Sequence, residues 1–210
     1  PMVRLDHFRG FEAYYAVDYG SDDATTGEWV PGPGRALFER FVREFGHRPL
    51  VAEDLGEIDE AVHTLRRNSG LLCTRVLQFG LDDPTGHSLH LPERCAVDSL
   101  VYTGTHDNDT TAGWFDTLSP ESQAIVRGRL VDAEHLVDAV IETAAKTDAS
   151  VVIVPAQDIL RLGSDGRMNI PGVPDGNWGW RLEASSLTAS DAERLARLIE
   201  QTARGGQSER

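Results

Sequence analysis

Short apolar runs recur along the chain, and most of them end on an acidic or turn-forming residue. Residues 2–6 close on Asp6, Leu50-Val51-Ala52 runs into Glu53-Asp54, and 73–79 turns out at Asp82-Asp83-Pro84. Leu100-Val101-Tyr102 leads through Thr103-Gly104-Thr105 into His106-Asp107-Asn108-Asp109, and 150–155 carries an unbroken Val-Val-Ile-Val. Runs of this length, bounded by Gly, Pro, Asp or Asn, predict strands. The continuous run at 151–154 predicts a strand buried on both faces.

Helical spacing fills the intervals. Leu37, Phe38, Phe41, Val42 and Phe45 predict a helix over 35–45. Asp59 caps a second helix with Ala61, Val62 and Leu65 on its apolar face, ended by residues 68–70. Ser119-Pro120 is a helix start, and the helical pattern runs to Lys146 with a break near 130–132. Leu195, Leu198 and Ile199 mark an amphipathic helix over 188–204, with a frayed 205–210. Residues 7–33 predict a helical turn within 7–16 and then a long loop, and 83–98 and 161–181 read as loops.

Strands alternating with helices imply an α/β chain with a parallel sheet and right-handed crossovers. Five strands with acidic groups at their carboxyl ends suit part of a (β/α)8 TIM barrel, whose whole takes eight strands and about 250 residues. A length of 210 residues predicts a single domain over 1–210. Pro1-Met2-Val3 already lies in a strand-like run and reads as a cut end.

Composition narrows the function classes. A net charge of −14 with 20 scattered Lys and Arg argues against a nucleic-acid partner. No apolar stretch reaches membrane-span length and no signal peptide is visible, so no membrane partner is expected. Cys73 and Cys95 fit neither a zinc spacing nor a disulfide framework, and the expected setting is a reducing cytoplasm. His87 and His90 lie three apart without a third ligand nearby, so they read as loop histidines; no metal and no cofactor is expected.

An isolated His106-Asp107-Asn108-Asp109 would read as a solvated turn capping the next helix. Its recurrence in kind at Asp6 and Glu53 changes that reading, because three strand ends that each deliver a carboxylate are what a sugar-cleaving site on parallel strands needs. Arg4, two residues before Asp6, shares its side of the strand, where a guanidinium would hold Asp6 ionised and aimed.

Several motifs, in order, carry a resemblance. They are Arg4-Leu5-Asp6-His7-Phe8-Arg9-Gly10, Ala52-Glu53-Asp54-Leu55-Gly56, Val76-Leu77-Gln78-Phe79 and Tyr102-Thr103-Gly104-Thr105-His106-Asp107-Asn108-Asp109-Thr110. The last runs from Pro155-Ala156-Gln157-Asp158 through Arg167-Met168-Asn169-Ile170-Pro171-Gly172 to Gly176-Asn177-Trp178-Gly179-Trp180-Arg181. The chain resembles the 4-α-glucanotransferases of the amylomaltase type, within the α-amylase clan. Leu72-Cys73-Thr74 departs from the family's usual Pro-Gly-Met, and the 84–98 loop lacks its Pro-His-Asn-Tyr.

The resemblance implies the carboxyl-terminal half of a catalytic barrel, strands four to eight, with the missing amino-terminal half as partner and an α-1,4-glucan (maltodextrin) as substrate. It implies retaining double displacement, with Asp6 as nucleophile, Glu53 as acid/base and Asp107 as the third carboxylate. Arg4, His106, Asp83 and Asn169 are implied substrate-binding residues. Asp54 and Asp109 read as capping or supporting groups, and Trp178 and Trp180 as sugar-stacking or core residues. The alternatives are an amylase-like retaining hydrolase or a catalytically silent glucan-binding fragment, and the chain alone is expected to be nearly inactive.

Overall fold

A computed structural model describes residues 2–200 and 202. The chain divides into two compact units, Pro1–Thr74 and Arg75–Arg210, with the boundary inside a strand. The first unit runs β1 (Val3–Leu5), α1 (Arg9–Glu12), β2 (Ala13–Val17), β3 (Gly27–Pro31), α2 (Gly34–Phe45), β4 (Leu50–Ala52), α3 (Glu60–Asn68) and into β5 (Leu72–Val76).

Within it β1 and β4 pair in parallel, Val3 opposite Leu50 and Leu5 opposite Ala52. β4 then pairs in parallel with β5 through Val51–Leu72 and Ala52–Cys73. The helices supply the core: Phe38 of α2 and Val62 and Leu65 of α3 pack with Phe8 and Ala52. Asp59 caps α3 as expected, accepting from the N–H groups of Ala61 and Val62.

The long loop expected over 7–33 is largely an antiparallel hairpin, β2 with β3. Gly, Asp and Thr crowd residues 18–26, and that density concealed the strands on either side. What holds the ribbon is a cross-strand pair: Tyr15 lies opposite Trp29, their rings 5.4 Å apart and edge to face. Gly27 makes room for it, since a Cβ there would meet the Tyr15 ring at 2.7 Å.

The second unit continues from the end of β5 through β6 (Ser99–Tyr102), α4 (Thr111–Thr117), α5 (Pro120–Arg129), α6 (Leu136–Lys146), β7 (Val151–Ile153), α7 (Ala156–Ile159) and α8 (Ala189–Glu200). Its strand order is β5-β6-β7. β6 and β7 pair in parallel, Leu100 opposite Val151 and Tyr102 opposite Ile153. Every residue of β6 is buried. α6 is buried nearly all round and packs Val140 and Ala144 against Leu77, Val101 and Phe115.

The break inside 119–146 separates α5 from α6, and Ser119 caps α5 through the Ser122 N–H at 3.2 Å. The expectation that β7 is buried on both faces does not hold, because Ile153 is 39% exposed. β7 comes last in the strand order, and one side of it lacks the cover a central parallel strand receives. α8 follows the expected amphipathic face. Residues 203–210, including the stretch expected to fray, lie outside the described residues.

Candidate active site

In the first unit the site grows from the ends of β1 and β4. Arg4 and Asp6 stand two residues apart, and the Arg4 Nη2 donates to Asp6 Oδ1 at 3.1 Å. The Asp6 side chain is largely exposed. Glu53 extends the parallel ladder by one residue, its N–H donating to the Leu5 carbonyl at 2.9 Å. Its carbonyl accepts from the Phe8 N–H at 3.0 Å and its carboxylate Oε2 from the His7 N–H at 2.7 Å.

Burial pushes the Glu53 carboxyl above the ordinary glutamate range, and the negative charge of Asp6 adds to the rise. The His7 amide, the Arg4 charge and the Leu55 amide oppose it without reversing it. A carboxyl with raised proton affinity near an exposed carboxylate that is paired with an arginine is an arrangement two-carboxylate chemistry can use. Asp54, the next residue, serves the scaffold instead. It is buried, accepts from the Thr74 N–H at 2.8 Å and lies 3.7 Å from Arg66. It ties the end of β4 to β5.

In the second unit the loop after β6 carries His106 and Asp107. Asp107 Oδ1 accepts from Asn169 Nδ2 at 2.6 Å, and Oδ2 lies 3.3 Å from His106 Nε2. Arg167 clasps both segments, donating to the Asp107 carbonyl and to the Asn169 carbonyl, each at 2.9 Å. Trp178, half exposed, sets its ring 5.2 Å from the His106 ring. A cavity of about 190 Å³ opens here, lined among others by Gly104, His106, Asp109, Arg167 and Trp178.

Two residues of this region escaped the sequence reading. Asp158 is fully buried and accepts from Thr103 Oγ1 at 2.6 Å, Thr111 N at 2.8 Å and Thr111 Oγ1 at 2.7 Å, fixing both ends of the loop between β6 and α4. Arg167 is the other. Both stand in the quoted motifs, but neither signals its role until the loops meet. Asp109 is a supporting group, accepting from Ser164 Oγ at 2.7 Å.

Asp83 is committed to its own loop. Its oxygens accept from the N–H groups of Thr85, His87 and Ser88 and from the Thr85 hydroxyl, which hold its carboxyl below the ordinary range. His90 is an internal acceptor: Nδ1 takes the Val76 N–H at 3.2 Å, and burial, with the charge of Arg75, holds it down at about 4. Among the described residues no three His, Cys, Asp or Glu side chains cluster to hold a metal ion, and the two cysteines, both buried, form no disulfide. No helix among them is long and apolar enough to cross a membrane.

Parallel strands followed by helices, with acidic side chains at the strands' carboxyl ends, define an α/β chain of the strand–helix barrel class. The chain belongs to the 4-alpha-glucanotransferase family, whose model matches residues 1–188. It is 42% identical to the 4-alpha-glucanotransferase of Thermus thermophilus over 97% of its own length, and 42% identical to the chloroplastic/amyloplastic enzyme of Solanum tuberosum over 90%. It spans 42% and 33% of those relatives. An amylomaltase from Streptococcus agalactiae, solved in complex with acarbose, superposes on 93% of the chain with a TM-score of 0.88 at 34% identity, and the chain covers 40% of it. The amylomaltase of Corynebacterium glutamicum shares the fold, with a TM-score of 0.71 at 18% identity over 94% of this chain and 35% of that one.

Proposed function

We propose that the chain carries the reacting carboxylates of a 4-α-glucanotransferase acting on α-1,4-glucans by retaining double displacement. The observation that carries the reading is the pair at the ends of β1 and β4. Glu53 holds its proton above the ordinary range, while the exposed Asp6 is aimed by Arg4. Asp6 attacks the anomeric carbon as Glu53 protonates the leaving oxygen, and Glu53 then recovers a proton from the incoming acceptor hydroxyl. Asp107, with His106 and Asn169, binds sugar hydroxyls, and Trp178 offers a ring for stacking. Asp83 contributes by shaping its loop.

The Streptococcus amylomaltase bound to acarbose supports a glucan as substrate. In this reading the five parallel strands correspond to strands four to eight of the barrel, and the setting is cytoplasmic. Incubation of the full-length protein, in which this chain is joined to the rest of its barrel, with maltotriose tests it: glucose should appear together with longer maltodextrins, and Asp6→Asn in that context should abolish both. Glucose and maltose without longer products would assign hydrolysis instead. Products undiminished in the Asn variant would remove Asp6 from the role.

A further inference from the structure

We infer that His7 is a positioning residue whose N–H, made to converge with that of Phe8 by a left-handed turn, binds Oε2 of Glu53 and leaves Oε1 as the oxygen that carries the transferable proton. The inference rests on the acid/base role proposed for Glu53.

Successive N–H groups of an extended strand point to opposite sides. After β1 they do not, because the chain turns at His7 with φ +46°, a conformation that non-glycine residues adopt at a cost. The turn brings two consecutive amides onto one residue. The His7 N–H reaches Glu53 Oε2 at 2.7 Å and the Phe8 N–H reaches the Glu53 carbonyl at 3.0 Å. The two amides make a seat for Glu53, one holding its carboxylate and the other its main chain. The His7 carbonyl is held too, accepting from the Gly10 N–H at 3.0 Å. The imidazole is not part of the seat; it lies exposed, its Cδ2 3.3 Å from where a Gly10 Cβ would stand.

The donor amide is the one that joins Asp6 to His7, so a single peptide plane links the proposed nucleophile to the proposed acid. A carboxylic hydroxyl oxygen accepts more weakly than its carbonyl partner, so the His7 N–H at Oε2, which outweighs the Leu55 amide, favours the form with the proton on Oε1. Oε1 is therefore the oxygen that releases its proton to the leaving sugar oxygen and takes one back from the acceptor hydroxyl. The same hydrogen bond favours ionised Glu53, which tempers the effect of burial and keeps the group able to give its proton up.

The test uses the chain itself, labelled with 13C and 15N, with the Glu53 side-chain carboxyl and the His7 amide followed by NMR through a pH titration. The His7 amide proton should move downfield as Glu53 ionises, with the same midpoint. His7→Gly, which adopts the left-handed turn freely and keeps the N–H, should leave that midpoint unchanged. Replacing His7 by its α-hydroxy analogue, which exchanges the N–H for an ester oxygen, should raise it by about one unit or more. An amide indifferent to Glu53, or an ester that leaves the midpoint in place, would overturn the inference. The wild-type amide decides the matter even if a variant fails to fold. None of these readings requires glycosyl transfer, so they stand or fall apart from the maltotriose assay.

Discussion

At the scale of single residues, Glu53 gives the most direct handle on the site. Its folded-state carboxyl is raised, so between the ordinary glutamate value and the raised one the folded chain holds a proton that the unfolded chain has lost. Below that window both forms are protonated and the group contributes its full stability. As pH rises through the window that contribution is lost, because the half-buried carboxyl must ionise. Glu53→Gln has no proton to lose. Its urea midpoint should hold steadier across the window and exceed the parent's above it. A parallel fall in both proteins would mean that burial does not govern this carboxyl.

Elements here depend on side chains that arrive from far along the sequence. The start of α4 is the sharpest case, since Thr110 caps it through the Gly113 N–H at 3.1 Å while Asp158, from α7, holds Thr111 and Thr103. Asp158→Ala would strand one buried N–H and two hydroxyls, and a loss of about 2–4 kcal/mol in chemical denaturation is expected. Because the same carboxylate anchors the loop carrying His106 and Asp107, the variant should also perturb the Trp178 environment, read by fluorescence. A loss below ~1 kcal/mol would show that water replaces the missing acceptor.

At the scale of the molecule, strand edges set the behaviour in solution. β1 has β4 as its ladder neighbour among the described residues, and Val3 on it is 53% exposed. β7 comes last in the strand order of the second unit, with Ile153 exposed. Uncovered parallel edges with apolar side chains pair with other chains. The purified chain should therefore elute ahead of the single-chain position on a sizing column, more so at higher concentration. A concentration-independent monomer would show that these edges are protected.

Much of this was legible in the amino-acid order. The apolar runs, the Asp59 and Ser119-Pro120 caps and the carboxylates closing each run are local signals, because strand period, capping and turn chemistry act over a few residues. They sufficed for α/β class, for most helix limits and for Asp6, Glu53 and Asp107 as candidates. Tertiary structure decided the rest. The β2–β3 hairpin depends on Tyr15 meeting Trp29 across an intervening turn that reads as loop, and the exposure of Ile153 depends on which strands have neighbours. Asp158, Arg167 and the turned backbone of His7 acquire their roles only through partners 46 to 60 positions away. A carboxylate's place at a strand end is written in its neighbours along the chain; whether it keeps its proton is settled by burial and by donors that only folding brings to it.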